Sequence, residues 1–366
     1  MDNLKKTCLH DRHEAMGALM SPFAGWHMPI QYSGIEEEHT AVRTGCGVFD
    51  VSHMGEVLVS GSEAEAFVNH IFSNDVSGLH DGKIVYGMML NDEGGVIDDL
   101  LVYKLADDRF FLVINAGNID KDIEWICLQA EKYDVTLEDL CNATAQLAVQ
   151  GPGAASVMAD VLGIECDGLG FYTSGIYPDI SGEQLLVSRT GYTGEDGFEV
   201  YASPQVIARM WDSLVSSGRC LPCGLGCRDT LRFEAGLPLY GDELTDGTTP
   251  LEAGLGMFVK LDKPEFIGKD ALVSQKADGL KRRLVGLELL APGIARHGYR
   301  VLDAEGNDIG EVTTGYKSVS LGKSIAMAMI DSRFAAIDTR VQVQIRKKTV
   351  PAVVVKKRFY QPKYKK

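Results

Sequence analysis

Cys220, Cys223 and Cys227 stand in the stretch RCLPCGLGCRDTLRFEAG, which runs from Arg219 to Gly236. A Cys-x-x-Cys pair with a third cysteine could hold zinc or run a thiol–disulfide couple. A structural zinc needs four ligands, usually as two close pairs. The other cysteines are single, at 8, 46, 127, 141 and 166, and no histidine lies between His80 and His297. A redox pair would open a helix directly after a strand, whereas here Pro222 sits inside the pair and Gly224 and Gly226 follow it. The spacing is that of small buried residues packing a glycine-rich turn. No metal is expected.

The stretch continues as CRDTLRFEAG, a helical pattern with Arg228 and Arg232 four apart on one face. Asp229 and Glu234 would pair with these arginines at the surface. Alternatively, an arginine at a helix start behind a glycine turn is aimed at an anion or an aromatic heterocycle.

Two further stretches place acids where acids are costly. In SRTGYTGEDGFEV, glycines 191, 194 and 197 permit tight turns and close approach of a ligand. Glu195 and Asp196 would repel a phosphate but would accept the parallel N–H donors of a pterin or guanidine-like edge. A hairpin tip with solvated acids would look the same. In NDEGGVIDDLLVYK, Asp98 and Asp99 sit inside an apolar strand, where they must be paired or used. Neighbours on a strand point to opposite faces, so one of the two can meet a cavity. Spacing alone leaves open which. Ser52 and His53 in FDVSHMGEVLVSG are adjacent on a strand and cannot face each other, which excludes a nucleophile–base pair between them. There is no Walker loop and no G-x-G-x-x-G after a strand.

The elements that must position these groups are mostly strands. GEVLVSG, KIVYGMML, GVIDDLLVYKL, RFFLVINA, TAQLAVQG, RLVGLELL, TRVQVQI and PAVVVKK are rich in Val, Ile, Tyr and Phe with Gly or Asp between them. Helical spacing recurs in GSEAEAFVNHIFSND, AGNIDKDIEWICLQAEKY, PGAASVMADVL and SPQVIARMWDSLVSSG. Hairpins in the 85–115 region imply antiparallel pairing, so the fold class is α+β rather than a doubly wound parallel sheet. A helix ending at Gly279, a basic run and a β-rich segment mark one boundary. Further breaks are expected near 50–61 and 142–153.

With 366 residues, two or three domains are expected. Composition is that of a soluble globular protein: 45% hydrophobic and 24% charged. The longest apolar runs are too short to span a membrane. The N-terminus has no apolar core after its lysines, so a cytoplasmic location, or an already processed chain, is expected. Eight scattered cysteines suit a reducing compartment. A net charge of −15 argues against nucleic acid. Residues 281–366 nevertheless hold 18 Lys+Arg against 7 Asp+Glu, while the first 280 hold 18 against 44. A basic end module on an acidic body points to an anionic ligand or partner there; a solvated lysine tail, KKRFYQPKYKK, is the plainer alternative.

Taken in order, FAGWHMPIQY, EHTAVRTGCGVFDVSHMGE, GKIVYGMMLNDEGGVIDDLLVYK, VQGP, SRTGYTGEDGFEV, PCGLGCRDTLRFEAGLPLYG, FIGKDAL and SVSLGKSIAMAMI resemble the aminomethyltransferases, the T-proteins of the glycine cleavage system. The resemblance runs from about Thr7 to the C-terminus. It implies transfer of a one-carbon unit from an aminomethyl group on the lipoyl arm of an H-protein to tetrahydrofolate, with release of ammonia and without metal, nucleotide or flavin. It implies three domains around a folate cavity. These are a discontinuous core of 1–50 with 145–278, a hairpin-rich domain of 51–144, and a basic C-terminal β-barrel or jelly roll of 279–366. It also implies site residues: Asp98 as the catalytic carboxylate with Asp99 facing away, and Glu195 and Arg228 at the folate. Tyr86 and Asn115 would line the pocket. Tyr364 is expected near the folate, with Arg358 or Lys363 as substitutes. Cys227 stands where the family commonly has a small residue such as Ala.

Overall fold

The computed structural model describes residues 4–364, so the ends of the expected 1–50 and 279–366 pieces, including Lys365 and Lys366 of the basic tail, lie outside the described residues. The fold is α+β, with mostly antiparallel sheets and a closed C-terminal barrel.

A central six-stranded sheet runs in the order Ser174–Pro178, Gln184–Ser188, Gly197–Ala202, Ala145–Gln150, Gly47–Asp50, Leu221–Pro222. Its pairs are antiparallel apart from the last, which is parallel. Helices Ala154–Leu162 and Pro204–Ser216 cover one face and bury Phe198, Val200, Met210 and Trp211 against it. The second helix starts as its sequence suggests: Ser203 accepts a hydrogen bond from the Val206 N–H, and Pro204 follows it.

A five-stranded hairpin sheet has the order Ile84–Leu90, Val96–Ala106, Arg109–Ile114, Gly55–Ser60, Thr136–Asp139. Helices Ala64–Ile71 and Ile119–Ala130 pack on one face through Phe67, Val68, Ile71 and Ile126, against Leu100, Val102 and Leu112. Its other face meets the central sheet, where Tyr103, Phe111 and Val113 pack with Tyr201. The segment holding Leu244, Ala253, Leu255 and Phe266 packs on Met88, Leu90 and Val96 of this same sheet. Helix Lys269–Asp278 ends at Gly279, and the barrel begins at Arg282. Its strands close in the order Arg282–Leu289, Ser324–Asp331, Asp308–Lys317, Arg300–Leu302, Arg340–Ile345, Lys348–Val355.

The turn before the two adjacent acids has little freedom. Asn91 Oδ1 accepts the Gly95 N–H at 2.8 Å, and Asn91 Nδ2 donates to the Asp246 carbonyl at 3.0 Å. A Cβ on Gly95 would collide with that same carbonyl. Gly95→Ala is therefore expected to cost about 1–3 kcal/mol, as overpacking does. An unchanged denaturant midpoint would show that the turn can move.

Candidate active site

Where the two sheets, the 228–258 stretch and the C-terminal segment after the barrel meet, they enclose a cavity of about 630 Å³. One wall carries Tyr86, Asp99 and Asn115 from the hairpin sheet and its following loop. The opposite wall carries Gln146, Tyr192, Glu199, Tyr201 and Arg228. The rest is closed by Leu237–Tyr240, Leu255–Phe258 and Lys356–Arg358 with Gln361.

Strand alternation decides which acid reaches this space. Met89 is opposite Asp98 and Met88 opposite Asp99; the register then shifts, leaving Ile97 without a direct partner. Asp98 lies on the helix side with Leu100 and Val102, fully buried. It accepts hydrogen bonds from the Asn115 N–H and Nδ2, both at 2.9 Å, and from Asn118 Nδ2 at 2.6 Å. Asn118 precedes helix Ile119–Ala130, so the positive end of the helix dipole adds to this support. Asp122, in the first turn, has both oxygens buried without a hydrogen bond, the Lys121 ammonium standing 3.7 Å from Oδ1. Burial, then the charge of Asp98, pushes its carboxyl up to about 11, so it keeps its proton beside Asp98.

Asp99 takes the cavity side. The Tyr86 hydroxyl donates to its Oδ2 at 2.9 Å, and Asn115 Nδ2 lies 3.1 Å from its Oδ1. Asn115 thus bridges the two acids. Burial, then the like charge of Asp98, pushes Asp99 up to about 7. Two donors to its carboxylate oppose this but do not overcome it.

The same alternation sorts the second acidic stretch. Gly194, at φ 81°, turns the chain so that Glu195 points toward helix Ile35–Thr44. There it accepts from Arg43 Nη1 at 3.2 Å and from the Tyr360 hydroxyl at 2.6 Å. On strand Gly197–Ala202, Phe198 and Val200 enter the helix-covered core while Glu199 and Tyr201 face the cavity. Glu199 accepts from Gln146 Nε2 at 3.2 Å and from the Thr190 hydroxyl. Burial raises its pKa, and the Thr190 hydrogen bond and the Arg228 charge work against that rise.

The two arginines of the Leu225–Glu234 helix diverge. Arg232 is buried and pairs with Asp229 at 2.7 Å and Glu243 at 2.6 Å, tying the helix to the 237–243 loop. Arg228 lines the cavity with its guanidinium 4.6 Å from the centre of the Tyr192 ring. Glu234 pairs with Arg43 at 3.2 Å and His39 at 3.3 Å instead of forming a surface bridge.

Three expected positions are corrected by this arrangement. The acid turned to the cavity is Asp99, because Asp98 is directed to Asn115 and Asn118 under the helices. At the glycine-rich turn it is Glu199, because Gly194 turns Glu195 back onto Arg43 and Tyr360. At the C-terminal end, Arg358 is in the cavity wall, while Tyr364 stacks on Phe171 at 4.5 Å and is not part of the lining. Lys363 lies over the Tyr360 ring. Arg228, Tyr86 and Asn115 do line the cavity. Sequence reasoning did not single out Gln146, Tyr192, Tyr201 or Lys357. Tyr192 and Tyr201 flank the acidic stretch, which is the only signal that could have found them.

Two of the three clustered cysteines converge: Cys223 Sγ, Cys227 Sγ and a Glu38 carboxylate oxygen all lie within 4.8 Å of one another. Cys220 Sγ lies 3.2 Å from Cys46 Sγ. The Glu38 carboxylate accepts the N–H groups of Tyr32, Ser33, Gly34 and Gly224. Ser52 donates to the Gln146 carbonyl and His53 edges onto Phe23, so these two form no nucleophilic pair.

A model of the GCVT N-terminal domain matches residues 9–263, and one of the glycine cleavage T-protein C-terminal barrel domain matches residues 282–361. An aminomethyltransferase from Caldanaerobacter subterraneus subsp. tengcongensis is 49% identical over 369 residues, covering 100% of this chain and 98% of the relative. One from Lysinibacillus sphaericus is 47% identical, covering 98% of each. The crystal structure of glycine cleavage system aminomethyltransferase T from Bartonella henselae superposes with a TM-score of 0.94 at 34% identity, over 99% of this chain and 100% of that one.

Because Asp98's charge helps to raise Asp99, Asp98→Asn is expected to move the Asp99 titration midpoint below about 7. Carboxyl ¹³C NMR of aspartate-labelled protein reads this directly, and an unmoved midpoint refutes the coupling. The linked stability has a definite sign. Asp99's folded pKa lies above its ordinary 3.8, so its contribution is present below that value and lost as pH rises through about 7.

Proposed function

The chain belongs to the glycine cleavage T-protein family and is an aminomethyltransferase, and from that premise we propose that Asp99 serves the reacting carbon while Glu199 and Arg228 hold the folate. The donor in this reading is an aminomethyl group on the lipoyl arm of an H-protein, and the acceptor is tetrahydrofolate. The carbon–sulfur and carbon–nitrogen bonds of the aminomethyl group break, and the carbon bonds to both N5 and N10 of the folate. The two protons leaving those nitrogens go to the lipoyl sulfur and to ammonia, giving a dihydrolipoyl thiol, ammonium and 5,10-methylenetetrahydrofolate.

The observation that carries the assignment is the opposition of two acids across one cavity. Transfer builds cationic, iminium-like character on the carbon, and an ionised carboxylate in a water-poor site stabilises it. Asp99, raised to about 7, is suited both to carry that charge and to accept a proton near neutral pH. Tyr86 and Asn115 orient it. Glu199, held by Gln146 and Thr190, offers its cavity side to paired N–H donors such as a pterin presents. Arg228, with its flat guanidinium on Tyr192, suits stacking or hydrogen bonding to the ring system. Lys356, Lys357 and Arg358 give the mouth a positive charge that suits the glutamate tail of folate. Asp98 is then a support for Asp99, and Glu195 an anchor for the C-terminal segment. A cytoplasmic setting accords with eight free thiols.

The test mixes the protein with tetrahydrofolate and aminomethyl-loaded H-protein and follows ammonia and methylenetetrahydrofolate together. Both should form in equal amounts, and Asp99→Asn should slow them by about 10²–10⁴-fold, the range of a lost proton-transfer group, without losing folate binding. Asp98→Asn should cost less. If Asp98→Asn alone abolishes turnover, the assignment of Asp99 fails. If folate binds but neither product forms in the unsubstituted protein, the donor is wrong and methylated donors come next.

A further inference from the structure

Behind Glu199, six side chains close into one ring of hydrogen bonds. Gln146 Nε2 donates to Glu199 Oε1 at 3.2 Å and to the Tyr201 hydroxyl at 3.0 Å. Tyr201 and Tyr103 hydroxyls are 2.8 Å apart, Tyr103 and Ser188 3.1 Å, and Ser188 and Thr190 2.7 Å. Thr190 closes the ring on Glu199 Oε2. Protons can be placed in one direction only. An ionised carboxylate accepts and never donates, so Thr190 gives its single proton to Glu199 and accepts from Ser188. Ser188 then accepts from Tyr103, Tyr103 from Tyr201, and Tyr201 from the Gln146 amide. Each hydroxyl donates once and accepts once, and both carboxylate oxygens receive a donor. Such a chain polarises cooperatively in a low-dielectric interior.

Five of the six members come from the central sheet or the loop that follows one of its strands. Tyr103 alone comes from the hairpin sheet, from the same strand as Asp99 and four residues further along it, hence on the same face. It is fully buried, edge-on to Phe111 and Tyr201, and outside the cavity lining. We propose that Tyr103 is a positioning residue for folate recognition: its hydroxyl completes the ring that keeps Glu199 ionised and aimed, and fixes the strand of Asp99 relative to the strand of Glu199. This rests on the reading of Glu199 as a folate-holding acid.

The charged and titratable groups facing Glu199 are Arg228 from the helix, Tyr172 from the loop before the central sheet's edge strand, Tyr103 from the hairpin sheet, Tyr201 on its own strand and, across the cavity, Asp99. Glu56 lies beyond Tyr201. Removing the Tyr103 hydroxyl leaves Arg228, Thr190 and Gln146 on Glu199 but takes the donor from Ser188 and the acceptor from Tyr201, so the polarisation of the chain that ends on Glu199 weakens and Glu199 should become harder to ionise.

The experiment is Tyr103→Phe, which keeps the ring packing and deletes only the hydroxyl. Tetrahydrofolate binding is measured by calorimetry across pH 6–9, alongside kcat and KM in the coupled assay with loaded H-protein. The expected result is a folate KM raised by up to about tenfold, the size of one buried hydrogen bond, with kcat at saturating folate changed much less. The acidic limb of folate affinity should move to higher pH. In the Glu199→Gln background, Tyr103→Phe should have no further effect. An unchanged KM and pH limb, or an undiminished effect in that background, overturns the proposal. If Glu199→Gln itself leaves folate affinity intact, the reading of Glu199 fails instead. If Glu199→Gln weakens binding and Tyr103→Phe does not, only the ring proposal falls.

Discussion

A carboxylate taken out of water must be given donors, or it gives up its charge. In this protein the donors come mostly from a different element than the acid, so a buried carboxylate that has donors also fastens two parts of the chain. Asp98 joins the hairpin sheet to the start of helix Ile119–Ala130 through Asn115 and Asn118. Glu195 joins helix Ile35–Thr44 and the C-terminal segment through Arg43 and Tyr360. Glu234 takes Arg43, His39, Ser318 and the Ser320 N–H, and so ties the central helix to a barrel loop. Glu243 does the same through Arg232, Thr313 and Thr314. The cavity is the space these fastenings leave where separate apolar cores approach without merging.

Acids without donors behave differently. Glu56 and Asp122 are buried with no hydrogen bond to either oxygen. Burial, chiefly, pushes the first up to about 9 and the second up to about 11. Both are neutral at physiological pH and act as polar filling. Asp99 lies between the extremes. It has two donors, but it also has a charged neighbour on the opposite face of its own strand. Burial does most to raise Asp99, and that neighbour, present because the sequence has two aspartates in a row, raises it further. The doublet is therefore one device: Asp98 anchors the strand, and its charge adds to the effect of burial on Asp99.

Much of this was legible in the residues. The strand and helix patterns, the antiparallel hairpins, the start of the barrel after Gly279, and the glycine-flanked acids all stood in the sequence. What it did not reveal was which acid of each pair faces the cavity. Val96–Tyr103 is apolar on both faces of its strand, so periodicity carries no inside–outside signal, and the shift at Ile97 is invisible without the partner strand. In TGEDGFEV the choice between Glu195 and Glu199 depends on the left-handed turn at Gly194, which sequence permits but does not impose. Tyr103 looked like one more strand tyrosine because its hydrogen-bond partners, Ser188 and Tyr201, are 85 and 98 positions away. The cysteines drew the eye by spacing, yet their spacing follows from a strand and a helix start packing beneath Glu38.

The two cavity acids also differ in how freely they can change charge. Glu199 is locked by a ring whose every proton is committed, and Arg228 faces it, so changing its charge means rearranging several groups at once. Asp99 has one hydroxyl and one amide, and its other flank is the cavity itself. A group that must bind a ligand in one orientation gains from the first arrangement, since its charge and direction are fixed before the ligand arrives. A group that must stabilise a transient cation and then pass a proton gains from the second, since its ionisation can follow the reaction. Strand Val96–Ala106 carries both Asp99 and the ring's outlying hydroxyl, Tyr103, on one face. Glu199 stands on a strand of the other sheet, and the Tyr103 hydroxyl is where the strand of Asp99 joins the ring that holds it.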